Sequence, residues 1–273
     1  MKKIVISSDD FGMTYSINEG IRLAYKKGML SSTNLMVPCP WFEHAVSLSR
    51  SMTCDIGVHL TLTNEWDFYK WRPLNGGSSV SAYGGYCYKS IKDLMQNALP
   101  RDIVDECRLQ IDTVLGKDVK LRYVDLHMCI PNINGIEHNP SYEVDLMHLV
   151  SEVAGEYGLP YSFEVNDRGK LKYFDSALSI SSRPYEQIEK WLNGLENGVH
   201  HLSCHCAVDS YEQSSLTNPL NKDYDWALTY RRVDMRVILS NWFHKVLQKN
   251  NITLDRNYFT GIHVQSDTEE SVL

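Results

Sequence analysis

Six side chains in this 273-residue sequence are of types that hold a divalent cation or move a proton, and they stand toward the ends of four apolar runs. Asp9 and Asp10 follow Ile4-Val5-Ile6, His59 lies late in 55–63, Asp125 and His127 share one face of 121–128, and His205 follows 199–204. Adjacent carboxylates repel unless one is protonated or a cation lies between them, and a divalent metal is the usual answer at neutral pH. Two imidazoles with one carboxylate bind Zn²⁺ or a similar cation and leave coordination positions open, as a catalytic metal requires. Asp10, His59 and His127 are the expected ligands. Neighbouring strand residues point to opposite faces, so the Asp9-Asp10 pair needs the chain to turn at once, which Gly12 permits. The competing reading is that Asp9 or Asp10 only caps the next helix, a role that Thr14 and Ser16 could also fill.

The elements that must position these groups alternate. Strands are expected at 3–8, 33–37, 55–63, 121–128, 160–165 and 199–204. Helices are expected from Ile17 to Gly28 and over 41–50, 90–116, 141–157, 185–195 and 225–250. This order predicts an α/β fold with a mainly parallel sheet, open or closed into a barrel, in one domain spanning 1–273. Ligands bind such folds at the C-terminal ends of the strands, where the six polar residues lie. An irregular insertion at about 64–89 carries Gly76-Gly77, Gly84-Gly85 and seven aromatic residues. It reads equally well as a functional loop or as a surface insertion packing its own rings.

Composition narrows the function classes. Hydrophobic residues are 43% and charged residues 22%, an ordinary globular balance. The net charge of −7 with scattered basic residues gives no stripe for nucleic acid. The N-terminus has no signal-peptide pattern and no run is long enough for a bilayer, so a cytoplasmic protein without a membrane partner is expected. Seven cysteines without a CxxC pair imply neither a disulfide framework nor a closed zinc site, and Cys206 is expected to be a small buried thiol.

The Ser8-Asp9-Asp10-Phe11-Gly12 opening, Gly57-Val58-His59-Leu60-Thr61-Leu62 and Val124-Asp125-Leu126-His127 resemble, in order and spacing, the signature segments of the YdjC-like carbohydrate deacetylase family, which includes chitooligosaccharide deacetylases. Asn18-Glu19-Gly20-Ile21 and Ser32-Thr33-Asn34-Leu35-Met36 fit the same pattern, and the resemblance covers about residues 3–165. It implies a deformed (β/α) barrel and metal-dependent removal of acetyl groups from N-acetylated sugars or short oligosaccharides. Asp10, His59 and His127 would hold the metal, Mg²⁺ or Zn²⁺, with Asp9 as general base and Asp125 behind the ligands or beside the substrate. His205 would protonate the leaving amine. The family's His-Pro-Gly segment here reads His205-Cys206-Ala207, and a further His common after the last ligand is replaced by Met128-Cys129-Ile130-Pro131. Arg168, Arg183, Arg231 and Arg232 are read as solvated charges outside the site. The partner expected is a small carbohydrate; a homo-oligomer stays open. Rival readings are a non-haem iron oxygenase, a metal phosphoesterase, and a sugar-binding or regulatory protein on the same barrel.

Overall fold

The computed structural model describes residues 1–128, 141–162, 171–175, 184–217 and 226–262. Its strands are β1 (Lys2–Phe11), β2 (Ser32–Leu35), β3 (Asp55–Leu60), β4 (Leu121–Leu126), β5 (Leu171–Asp175), β6 (Gly198–Cys204) and β7 (Ile252–Leu254). They form one sheet in the order β4-β3-β2-β1-β6-β5, with β7 on β1, and every pairing between them is parallel. The sheet is curled into a half-barrel with helices packed on it. β6 takes one edge of β1 along Lys2 to Ser8, while β7 pairs with Lys2 to Ile4 and β2 with Ser7, Ser8 and Phe11. The strand that carries both aspartates is therefore central.

The helices are α1 (Tyr15–Lys26), α2 (Phe42–Ser49), α3 (Ile91–Asn97), α4 (Pro100–Leu115), α5 (Ser141–Glu156), α6 (Pro184–Asn193), α7 (Trp226–Ile238) and α8 (Asn241–Lys249). Their apolar stripes bury against the sheet: Ile17, Ile21 and Ala24 of α1 and Ile103, Cys107, Ile111 and Val114 of α4 are all buried. All six residues of β3 are buried as well. The alternation along 55–63 therefore separates two buried layers, an outer one under the helices and an inner one containing Val5, Tyr123 and Phe259. Among the described residues no helix is long and apolar enough to cross a membrane.

Several boundaries differ from expectation. β1 does not stop at Ser8 but runs to Phe11, and its register against β2 slips between Ser8 and Phe11. The turn that separates the two carboxylates is made by Asp10 itself, at φ 71°, two residues before Gly12 at φ 114°. The helix expected over 90–116 is broken before Pro100, whose ring holds Leu99 extended at ψ 136°. The one expected over 225–250 splits at Ser240, whose hydroxyl accepts from Phe243 N at 3.0 Å and starts α8. β5 and β7 have no alternation to announce them and were not expected. Of 160–165, Tyr161 bridges Val124 and residues beyond Ser162 lie outside the described ones.

Candidate active site

The site is built at the C-terminal edge, from the last residues of β1, β3 and β4 and from the residues that follow β4 and β6. Thr14 caps α1, its hydroxyl accepting from Ile17 N at 3.2 Å, so neither aspartate is spent as a cap. Gly12 is pinned by Asn18, which accepts its N–H at 2.7 Å, and a Cβ there would lie 3.1 Å from Met36 O and 3.2 Å from Phe42 Cα. The chain thus passes tightly behind Asp10 and leaves its carboxyl facing β3 and β4.

Asp10 Oδ1 lies 3.7 Å from His59 Nε2 and 3.5 Å from His127 Nδ1, and those two nitrogens are 3.3 Å apart. One ligand atom from each of the three buried residues fits within a 4.8 Å span. Each also has a partner on its far side. Arg231 Nη2 donates to Asp10 Oδ2 at 2.6 Å, Glu65 Oε2 is 3.1 Å from His127 Nε2, and Asp125 Oδ2 is 3.5 Å from His59 Nδ1. Metal-binding imidazoles and carboxylates are commonly oriented by such outer partners, and the mixed nitrogen and oxygen donor set suits a divalent cation.

Asp9 lies beside this cluster and is held by neutral groups. Asn34 of β2 donates to its Oδ1 at 2.8 Å and Ser203 of β6 to its Oδ2 at 2.8 Å. The same Asn34 amide donates to Asp125 Oδ2 at 2.7 Å, while Ser162 and Leu126 N supply the other oxygen of Asp125. Burial, with repulsion from Asp125, pushes the Asp9 carboxyl above its ordinary range. Burial acts on Asp10 in the same sense, but Arg231 and the two imidazoles His127 and His205 outweigh it and hold Asp10 well below that range. For Asp125 the proximity of His59 likewise overcomes burial and leaves it lowered. Burial would lower His127, yet Glu65 and Asp10 raise it to about 10.

His205 follows β6 as expected. Its main-chain N–H donates to Asp234 Oδ2 at 2.7 Å and its Nδ1 lies 3.8 Å from the same oxygen, with the Tyr230 ring edge-on at 5.4 Å. Asp234 thus holds a loop that lacks the Pro-Gly of the resembling pattern. Cys206 is buried beside it. The reading of Arg231 as a solvated charge is overturned: it is 1% exposed and touches Asp10. Arg232 does sit on the surface, paired with Asp209. Arg168, Arg183 and the Cys129-Ile130-Pro131 segment lie outside the described residues. Glu65, Asn34, Ser203 and Asp234 were missed; a carboxylate at the mouth of the aromatic-rich insertion was the one sequence signal available for Glu65. The insertion fits both of its readings, since it supplies Glu65 to the site yet buries Trp66 and Trp71 and leaves Phe68 and Tyr83 exposed.

The model of the YdjC-like protein family matches residues 3–249. A carbohydrate deacetylase of Brevibacillus brevis is 28% identical over 162 residues, covering 59% of this chain and 59% of the relative. One from Vibrio cholerae is 30% identical over 161 residues, 58% of this chain and 57% of the relative. The matched stretch thus spans less than two thirds of the length of either. A carbohydrate deacetylase of Thermoanaerobacter pseudethanolicus aligns along nearly the whole chain, 24% identical over 267 residues, 93% of this chain and 97% of that one. Among solved structures, a protein of Enterococcus faecalis V583 named for a proposed role in cellobiose-phosphate cleavage superposes with TM-score 0.75 and 21% identity, over 96% of this chain and 99% of its own. That likeness speaks for the fold.

Proposed function

Because the chain belongs to the YdjC-like protein family, we propose that it is a metal-dependent hydrolase that removes the acetyl group from an N-acetylated sugar or short oligosaccharide. The observation that carries this reading is a buried Asp-His-His cluster with a further carboxylate, Asp9, joined to it through Asn34 and Asp125. Asp10, His59 and His127 would hold the divalent cation, and Arg231, Glu65 and Asp125 would keep those ligands in place. A cation there supplies a Lewis acid that polarises the amide carbonyl and lowers the pKa of water toward ~7.

The protein's own groups account for the proton transfers. Asp9 uses one lone pair on each oxygen for Asn34 and Ser203 and retains another, so it is oriented and still able to accept a proton from the attacking water. Its raised carboxyl brings it closer to the basicity that a general base needs near neutral pH. Asp234, which accepts the main-chain N–H of His205 and lies 3.8 Å from its Nδ1, would position the imidazole so that Nε2 passes a proton to the departing nitrogen. Without that proton the amine would leave as an unstable anion. An oxygenase has no use for a carboxylate such as Asp9 in this position, which favours hydrolysis. We take the barrel and its 64–89 insertion as a single catalytic domain.

The test is acetate release from short N-acetylated sugars by metal-stripped protein, before and after Zn²⁺, Mg²⁺, Mn²⁺ or Co²⁺ is restored. Release that depends on metal is expected. A protein that binds metal stoichiometrically and releases no acetate from any of the sugars would contradict the reading.

A further inference from the structure

We propose that the opposite, N-terminal edge of the sheet carries a binding site for a small phosphate monoester. β3 begins there at Asp55, four residues before His59, so the site is separated from the metal cluster by the length of a strand. A cavity of 460 Å³ opens at this edge, lined by Arg50, Thr53, Asp55, Lys120, Arg122 and Thr260 among others. Sites for small molecules typically occupy about 300–1,000 Å³.

The charge around this cavity is unusual for the molecule. The chain carries a net charge of −7, yet three cations from two segments converge here: Arg50 just after α2, and Lys120 and Arg122 at the start of β4. Among the described residues none of the three makes a close ion pair, although Arg122 is near enough to Asp55 to favour its ionised carboxylate, and Lys117 nearby is paired with Glu43. Arg122 is there because of a bulge. β3 pairs Ile56 with Leu121 and Gly57 with Tyr123, so Arg122 is the extra residue, and a bulge is a common way to re-aim a side chain.

Two carboxylates also line the cavity. Asp55 is already engaged: its Oδ2 accepts from Phe259 N at 2.8 Å and Thr260 N at 3.3 Å, and its Oδ1 from the Thr260 hydroxyl. Asp118, exposed at the rim, has no such partners among the described residues. Three cations against one screened and one exposed carboxylate leave an excess of positive charge. Two guanidinium forks and an ammonium suit the oxygens of a phosphate monoester, with the hydroxyl of Thr53 as a further donor. The remaining volume is room for the organic part of the ligand.

The test is calorimetric titration of the full-length protein with glucose 6-phosphate, inorganic phosphate and glucose, on wild type and on Lys120→Ala, Arg122→Ala and His127→Ala. Both phosphates are expected to bind, glucose not. Lys120→Ala and Arg122→Ala should each weaken binding about tenfold, the loss of one charge-assisted contact, and His127→Ala should leave it unchanged. Lys120 is exposed and its substitution should not disturb folding, which keeps the test decisive if Arg122→Ala misfolds. No binding to wild type, binding that survives Lys120→Ala, or binding abolished by His127→Ala would each overturn the proposal, the last by assigning the phosphate to the metal cluster.

Discussion

Asp9 and Asp10 are covalent neighbours with opposite electrostatics, because neutral donors hold one and a buried guanidinium holds the other. That division suits a base beside a metal ligand. It also shows which residues a sequence can reveal: Asp10, His59 and His127 announce themselves by standing where apolar runs end, whereas Arg231 reaches Asp10 across 221 positions from a helix whose own pattern looks like an ordinary charged surface. Glu65 is a comparable case. It meets His127 from an aperiodic loop, and its importance lies in a contact rather than a spacing. Glu65→Gln keeps the shape and removes the charge that steadies His127; metal affinity should fall about 10–100-fold, the usual cost of losing an outer partner. Titration with a competing chelator measures this, and unchanged affinity would make Glu65 a bystander.

At the scale of elements, α1 lies so close to the segment after β6 that Gly20 has no room for a side chain. A Cβ there would sit 2.5 Å from Ala207 Cα and 2.8 Å from Cys206 C. The contact fixes the chain next to His205, which offers a physical reason why that loop can do without Pro and Gly. Gly20→Ala should cost about 1–3 kcal/mol through overpacking of rigid backbone, lowering the melting temperature by several degrees, and should reduce turnover more than metal content. A fully stable variant would mean that the helix can shift freely. Sequence periodicity located α1, α2, β3 and β4 because their buried faces repeat, while β5 and β7 are too short to repeat anything and the breaks at Pro100 and Ser240 depend on capping that a helical apolar pattern runs straight over.

At the scale of the whole molecule, the inner layer of the half-barrel is polar as well as apolar, and this makes folding pH-dependent. His201 is buried on β6 against the Ser7 hydroxyl, and burial lowers it from the ordinary 6.5 to about 4. Since the unfolded chain takes up this proton first, the stability that neutral His201 contributes is present above pH 6.5 and is lost as pH falls toward about 4. The shift corresponds to about 3 kcal/mol at the acid end. Denaturant midpoints measured across that window should fall less steeply in His201→Gln than in wild type; parallel curves would assign the acid loss to other groups. In the proposed mechanism one carboxylate of the Asp9-Asp10 pair binds the cation and the other moves the proton. It is tested most directly by measuring metal content and acetate release on the same preparation of Asp9→Asn. Metal should be retained at the wild-type level and release lowered by about 10²–10⁴-fold, the usual contribution of a general base. Release that survives in Asp9→Asn, or metal lost along with activity, would contradict it.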